Sequence, residues 1–237
     1  ILLIGTAFTN LRLTPDLSAL SDVSPVVLAS DGQIIHLRLN STGKWRQSVR
    51  LEDLDPKLVA TLLAFEDRRF YRHAGVDVLA LIRAFKDLVV TGRRVSGGST
   101  ITMQLARLLD PDLQKRSVPA KMKQIWSALR LDAHLSKQKI LEAYFTLAPY
   151  GGNIEGVVAA SEAWLQKPPM SLTESEAAFL VAMPQSPESR RPDRRLSNAI
   201  SAKNHVLKAV AEERGYSHEA LNDYLEESLP LQKTEVV

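Results

Sequence analysis

The sequence FEDRRFYRHAG, residues 65–75, places two acids, three arginines, one histidine and three aromatic residues within eleven positions. The apolar segment LDPKLVATLLA precedes it. That segment predicts a helix over 55–69, because Asp55 can cap its N-terminus and Pro56 suits the first turn. A cluster of ionisable groups therefore follows an apolar helix, and this junction decides how the rest of the chain is interpreted.

Glu66 lies on the apolar side of the predicted helix. It follows Leu62 by four residues and Val59 by seven, so its carboxylate falls on the stripe expected to face the core. One interpretation is a buried or half-buried ion pair with Arg69 or Arg72. The other is a catalytic acid or base in a cleft. The residues around Glu66 leave both interpretations open.

Composition limits the class of protein. The chain has 237 residues, of which 45% are hydrophobic and 24% charged, typical of a folded domain with one sizeable core. A net charge of +3 suits an anionic substrate or membrane surface, and no basic stripe with interleaved aromatic residues indicates nucleic acid. Absence of cysteine excludes a disulfide scaffold and thiolate metal sites. The five histidines show no metal-ligand spacing such as H-E-x-x-H.

The N-terminal region predicts a small β element. Residues 1–8, ILLIGTAF, are too short to span a bilayer, which takes about 20 residues. They are either the end of a membrane anchor or the start of an ordinary buried strand or helix. Within 9–50, the segment PVVLASDGQIIHLRL predicts two short strands around Asp31 and Gly32.

Helical patterns dominate the remainder. Thr173 and Glu176 form a capping box, and Pro184 ends the helix that follows them. A polar helical segment is predicted over 197–228. The fold class is therefore mainly α with a small N-terminal β element, and the other predicted helices span 55–69, 77–91, 99–109, 119–134, 137–147, 156–165 and 174–183.

The stretch SGGSTITMQLAR, residues 96–107, is a second unusual feature. Ser99 and Thr100 follow two glycines at a predicted helix start, where N–H groups and hydroxyls can face an anion such as phosphate. Taken alone, the stretch favours the simpler interpretation, a glycine turn with a serine N-cap. The stretch is not a Walker loop, because no Gly-Lys-Ser/Thr follows.

Two further predicted helices each carry a lysine together with a second polar residue. In RSVPAKMKQIW and its continuation, a core stripe of Met122, Ile125, Trp126 and Leu129 would place Lys121 and Gln124 together on an adjacent face. In LSKQKILEAYF, Ser136 caps a helix with Lys137 in its first turn and Glu142 one turn on. In isolation, the first predicts solvated lysines and the second an amphipathic helix with an exposed glutamate.

Together, in this order, the four stretches resemble the peptidoglycan glycosyltransferase domain, glycosyltransferase family 51, of class A penicillin-binding proteins. EDRRFYRHAG matches the family's E-D-x-x-F-x-x-H-x-G, and GGSTITMQ matches G-x-S-T-I-T-Q-Q. AKMKQ stands where R-K-x-x-E is expected, and KQKILEAYF matches K-x-x-I-L-E-x-Y-L. The resemblance covers about residues 50–195 and is nearest to the penicillin-binding protein 1C branch.

The resemblance implies a lysozyme-like helical domain over 51–195 that polymerises lipid II at the outer, periplasmic face of the cytoplasmic membrane. Residues 196–237 would be a helical linker toward a transpeptidase domain that this sequence does not include. Glu66 would be the general base that takes the proton from the 4-hydroxyl of the acceptor GlcNAc. That oxygen would attack C1 of the donor MurNAc, and undecaprenyl pyrophosphate would leave with inversion.

The resemblance also implies roles for other residues and partners. Asp67 would support the base, and Gln124 would support catalysis. The expected partners are lipid II, the growing glycan strand, the membrane surface, moenomycin-type inhibitors and other cell-wall-synthesis proteins, with no nucleic acid. No cofactor is required, although a divalent cation, Mg²⁺ or Mn²⁺, is a weak expectation. The substrate-binding residues would be Phe70, His73, Gly75, Ser99, Thr100, Gln104, Arg107, Arg116, Lys121, Lys137 and Glu142.

Three departures from the family pattern leave alternatives open. Gln124 stands where the family has an acid, Ala120 where it has an arginine, and Thr146 where it has an asparagine. Glutamine can form hydrogen bonds but cannot hold a charge, so it binds a divalent ion poorly. We interpret Gln124 as a branch feature; the alternatives are a non-catalytic scaffold of cell-wall synthesis and a lysozyme-like lytic enzyme. Lysis would need a general acid for the sugar leaving group rather than a phosphate site.

Overall fold

A computed structural model describes residues 14–28, 30, 34–91, 98–115 and 117–231. The predicted segment 1–8 lies outside these residues. The chain forms two compact units. Among the described residues, the first contains those within 14–19 and 66–144, and the second contains those within 20–65 and 145–231.

The described residues are mainly helical, as the sequence predicts. The strands are β1 (Val26–Leu28), β2 (Ile34–Leu37), β3 (Trp45–Arg46) and β4 (Ile154–Glu155). No described helix is long and apolar enough to cross a membrane. The α-helices are α1 (Pro56–Glu66), α2 (Val78–Thr91), α3 (Ile101–Leu109), α4 (Val118–His134), α5 (Lys137–Leu147), α6 (Val157–Leu165), α7 (Glu174–Ala182), α8 (Pro192–Arg214) and α9 (His218–Glu226).

Local capping explains where several of these helices begin. The Asp55 carboxylate accepts a hydrogen bond from the backbone N–H of Lys57 at 2.9 Å, at the start of α1. Thr173 and Glu176 form both bonds of the predicted capping box at α7. The Ser136 hydroxyl accepts from the N–H of Lys139 at 3.2 Å and caps α5. These predictions from the sequence are confirmed.

In the first unit, α4 places only part of its predicted stripe against the core: Ile125 and Leu129 pack there, partly buried. Its buried residues are Ala120, Gln124, Ala128 and Leu131, whereas Met122 is 61% exposed. The predicted core stripe is therefore wrong at Met122. Ala128, on the buried side, is small enough to allow neighbouring backbone to approach α4 closely.

Gly75 makes such a close approach. Its φ is +77°, and a Cβ at this position would overlap the carbonyl oxygen of Ala128 on α4. Only glycine has both the left-handed conformation at low cost and no side chain to collide. Val76, next in the chain, packs with Met103 and Ala128 in the core of this unit. The end of the first motif is thereby fixed against α4.

In the second unit, β1 and β2 pair antiparallel, which confirms the predicted pair of strands. The strands β3 and β4 pair parallel, with Trp45 opposite Ile154 and Arg46 opposite Glu155. The Arg46 guanidinium reinforces this pairing with hydrogen bonds to Glu155 at 2.5 and 3.0 Å. Two residues are too few to give a strand pattern in the sequence, so β4 was not predicted.

The predicted helical segment 197–228 consists of two helices. Gly215 ends α8 in the left-handed conformation, with φ of +67°, and α9 follows. Lys203 of α8 is only 1% exposed, and its ammonium donates to the backbone carbonyls of Tyr224, Leu225 and Glu227 at 3.1–3.2 Å. Burial lowers the pKa of Lys203. The last turn of α9 is thus held against α8 by a buried cation.

Candidate active site

Glu66 is the last residue of α1, and its side chain is half-buried. Its Oε2 accepts a hydrogen bond from Nε2 of Gln104, on α3, at 2.8 Å. The other end of the same amide, Oε1 of Gln104, lies 3.4 Å from the hydroxyl of Tyr144 on α5. Arg69, one of the two arginines considered as ion-pair partners, lies 3.6 Å from Asp77. A neutral amide therefore contacts the candidate base directly.

Asp67 joins the first motif to the start of α3. Its Oδ1 lies 2.9 Å from Nε2 of His73, and its Oδ2 accepts from the backbone N–H of Ile101 at 3.0 Å. A carboxylate at a helix N-terminus satisfies an N–H that has no partner within the helix. Asp67 thus connects His73 with the start of α3.

Thr100 uses its hydroxyl inside the protein. It is 2% exposed, donates to the carbonyl of Gly75 at 2.6 Å and accepts from the N–H of Met103 at 3.1 Å. These two bonds occupy the hydroxyl proton and one of its lone pairs. The structure therefore places Thr100 and Gly75 in the contact between the first two motifs, where they support the site from within.

Lys121 brings a cation to the residue that precedes the α3 cap. Its Nζ donates to the hydroxyl of Ser99 at 2.8 Å and lies 3.5 Å from Oε1 of Gln124. The Gln124 amide nitrogen donates to the carbonyl of Leu113 at 2.7 Å, and the residue is 8% exposed. A partly buried ammonium, a hydroxyl and a neutral amide thus form one group, suited to an anionic ligand.

The Lys137 side chain contacts residues of the first motif, whereas Lys121 contacts Ser99 and Gln124. The Lys137 ammonium donates to the carbonyl of His73 at 2.6 Å and to Asp132 at 2.5 Å. It also lies 4.7 Å from the centre of the Phe70 ring, a cation–π contact. The structure therefore places both Lys137 and Phe70 in a network that holds the loop around His73.

The remaining predicted site residues are in three different situations. Glu142 is buried and bonded to Lys139 at 2.7 Å, so the expectation of an exposed glutamate is wrong. A lysine at i−3 can cover the carboxylate, and this contact leaves it little access to solvent. Arg107 is exposed in the last turn of α3. Arg116 lies outside the described residues.

Comparison with known proteins identifies the family. The Transglycosylase family model matches residues 31–211. The chain belongs to the transglycosylase family. This transglycosylase chain is 42% identical over 212 residues to penicillin-binding protein 1C of Escherichia coli (strain K12), covering 89% of the chain and 27% of that protein. It is 34% identical over 208 residues to penicillin-binding protein 1A of the same organism, covering 85% of the chain and 24% of that protein.

The fold of the transglycosylase chain also has a solved counterpart. The crystal structure of penicillin-binding protein 1A from Haemophilus influenzae matches 90% of this chain and 22% of that one, with a TM-score of 0.50 and 20% identity. This likeness supports the mainly α fold. The transglycosylase chain spans about a quarter of the length of the curated relatives it matches.

The polar groups around Gln124 do not fit a divalent cation. Its Oε1 faces the Lys121 ammonium, and its amide nitrogen is bonded to Leu113. Mg²⁺ or Mn²⁺ needs several oxygen ligands, preferably carboxylates, and a neighbouring cation repels it. Among the residues that the structure describes, no three histidine, aspartate or glutamate side chains are grouped to hold a metal.

Sequence reasoning missed two polar residues of this transglycosylase site, Asp132 and Tyr144. Asp132 pairs with Lys137, and Tyr144 reaches the Gln104 amide. The family motif K-x-x-I-L-E-x-Y-L was a usable signal for Tyr144, because its tyrosine falls at this position. Asp132 lies on a different helix from Lys137, and only the turn between α4 and α5 brings the two together.

Proposed function

We propose that this transglycosylase polymerises lipid II into β-1,4-linked glycan strands, with Glu66 as the general base. One observation carries the proposal: a carboxylate and a partly buried ammonium are both contacted by residues at or within α3. Gln104 of α3 bonds to Glu66, and Ser99, just before the helix cap Thr100, bonds to Lys121. Proton removal and stabilisation of an anionic leaving group need these two kinds of group at one site.

The proposed reaction is a single displacement. The Glu66 carboxylate takes the proton from the 4-hydroxyl of the acceptor GlcNAc while that oxygen attacks C1 of the donor MurNAc. The bond between C1 and the pyrophosphate oxygen breaks, and undecaprenyl pyrophosphate leaves from the opposite face, which inverts the anomeric configuration. Lys121 and Ser99 stabilise the negative charge that develops on the leaving group. The proposed chemistry uses no metal, in keeping with the polar groups around Gln124.

A membrane surface is the proposed location of the substrate. On α2, Val78, Leu79 and Ile82 are each more than half exposed. Arg83 and Lys86 on the same helix are also exposed. An apolar helix face flanked by basic residues favours contact with the interface of an anionic bilayer. This face supports contact of the protein with a membrane surface. The surface we propose is the outer side of the cytoplasmic membrane, where the protein would reach its lipid-linked substrate.

The direct test is polymerisation of lipid II by the purified chain in detergent. Wild type should form glycan strands, and Glu66→Gln should form none while keeping its fold, because glutamine preserves shape and removes the base. Lys121→Ala should lose about 100-fold or more, as expected when one oriented donor to a developing anion is removed. Lys208→Ala, which removes an exposed lysine from α8, is the matched control and should retain the wild-type rate.

Two outcomes would contradict this function. Substantial polymerisation by Glu66→Gln would show that Glu66 is not the general base. A wild-type chain that is folded, forms no glycan and shows no calorimetric binding of moenomycin, an analogue of the growing strand's pyrophosphate end, would favour a non-catalytic scaffold.

A further inference from the structure

The contact between Gln104 and Glu66 raises the question of what orients the glutamine amide. A glutamine side chain can present either its oxygen or its NH₂ group to a neighbour, because the two ends are similar in size. Only the NH₂ end can donate to a carboxylate. If the amide turned over, its oxygen would face Glu66 and two acceptors would repel each other.

The Glu66 carboxylate only accepts hydrogen bonds and so selects the NH₂ end, and Tyr144 supplies a group for the other end. Its side chain is 2% exposed, and its hydroxyl donates toward Oε1 of Gln104 across 3.4 Å. This distance is at the long end for a hydrogen bond between oxygen and an O–H donor, and such contacts commonly tighten when substrate excludes water. By donating to Oε1, the hydroxyl holds the amide in the orientation that Glu66 selects, with Nε2 pointing to the carboxylate.

We propose that Tyr144 is a positioning residue for the reaction, acting on Glu66 through the Gln104 amide. Its hydroxyl proton faces Gln104, and the Gln104 NH₂ group faces the carboxylate, so the oxygen of Glu66 that accepts this bond is fixed in direction. Gln104 is accordingly a positioning residue as well, instead of a direct ligand of the pyrophosphate. The expected changes in kcat rest on the proposed function. The expected orientation of the Gln104 amide rests on geometry alone.

The kinetic test compares Tyr144→Phe, Gln104→Met and the double variant in lipid II polymerisation. Tyr144→Phe removes one hydroxyl and should lower kcat about five-fold with KM unchanged, the effect of one neutral hydrogen bond. Gln104→Met should lower kcat about ten-fold or more, because a bond to a charged group is lost. In the double variant, loss of the tyrosine hydroxyl should have no further effect, since its target is already absent.

Tyr216→Phe is the matched control. It also removes a hydroxyl from a partly buried tyrosine, one that donates to Glu174 at 2.6 Å in the second unit. Its kcat and KM should equal those of wild type. Additive effects of Tyr144→Phe and Gln104→Met would overturn the proposal. A rise in KM with unchanged kcat in Gln104→Met would instead make Gln104 a substrate ligand.

A spectroscopic test does not depend on activity. In the ¹⁵N-labelled chain, the side-chain NH₂ signals of Gln104, identified by their loss in Gln104→Met, should move in Tyr144→Phe and in Glu66→Gln but not in Tyr216→Phe. Signals that stay in place in Tyr144→Phe would overturn the proposal even in an active enzyme. A chain that shows the expected shifts but makes no glycan would refute the proposed function and leave the positioning role standing.

Discussion

At the scale of single residues, the site depends on neutral groups beside charged ones. Glu66 is contacted by an amide, and Lys121 by a hydroxyl and a second amide. Neutral partners orient an ionised group without cancelling its charge. These contacts fix the directions of the carboxylate and the ammonium, as the proposed chemistry requires.

The residue Gln124 offers a sharp prediction at this scale. Gln124→Glu would place a negative charge within reach of Lys121 and beside the proposed pyrophosphate site, with no arginine at Ala120 to offset it. We expect this change to lower the rate of polymerisation several-fold, and in no case to raise it. The reason is that like charges repel strongly where solvent is scarce. Initial rates of lipid II polymerisation provide the measurement.

The double variant Ala120→Arg with Gln124→Glu should exceed either single variant, because the arginine offsets the added charge. It should also respond more to Mg²⁺ than wild type does. If Gln124→Glu alone activated a silent chain, the interpretation of Gln124 as an adapted branch feature would be wrong.

At the scale of elements, the motifs are joined by close contact between a loop and a helix. Gly75 is the clearest case, because its carbonyl accepts from Thr100 and its Cα lies against the backbone of α4. The first and second motifs and the helix that carries the third therefore share one small contact. A change that separates them should disturb fold and activity together.

Gly75→Ala should destabilise the protein by about 3 kcal/mol, from the cost of a left-handed alanine and the overlap of its Cβ with α4. Urea denaturation measures this free energy of unfolding. Gly43→Ala is the matched control, because Gly43 also has a positive φ, +73°, but has no atom within 4 Å of the added Cβ. It should cost about 1 kcal/mol. Equal losses in the two variants would show that close packing against α4 contributes nothing.

The turn between α8 and α9 predicts a pH dependence. Burial, with the Glu174 hydrogen bond, raises the pKa of Tyr216 from 10.0 to about 12. Because the folded state holds this proton more tightly than the unfolded state, the resulting stabilisation is complete below pH 10 and is lost as the pH rises through about 12.

The free energy of unfolding should therefore fall between these pH values and fall less steeply in Tyr216→Phe. Burial also raises the pKa of Tyr150. This second tyrosine accounts for any dependence of the unfolding free energy on pH that remains in Tyr216→Phe. Identical slopes in the two proteins would contradict this assignment.

At the scale of the whole molecule, local signals were predictable and long-range contacts were not. Thr173, Glu176 and Ser136 act through residues three positions away, so the sequence alone predicts their caps. The pairing of β3 with β4 joins residues more than a hundred positions apart, and two-residue strands carry no periodicity.

The candidate site divides in the same way. The motif residues were identified from their order along the chain, because the family pattern fixes their types. Their contacts were not, because each depends on which helix face turns inward. Met122 illustrates the difficulty: apolar spacing placed it in the core with Ile125 and Leu129, but the helix buries Gln124 and Ala128 and leaves Met122 61% exposed.

The buried ammonium of Lys203 has a consequence for chemical labelling. An acylating reagent needs a neutral, accessible amine, and the carbonyls of Tyr224, Leu225 and Glu227 enclose this one. Acylation of Lys203 therefore requires α9 to detach from α8, while exposed Lys208 on the same helix reacts without any such opening. Mass spectrometry should find Lys203 labelled at least about 100-fold more slowly than Lys208, an opening cost of about 3 kcal/mol or more. The labelling rate of Lys203 would then measure how often α9 detaches from α8. Equal labelling rates for Lys203 and Lys208 would mean that α9 is not held against α8.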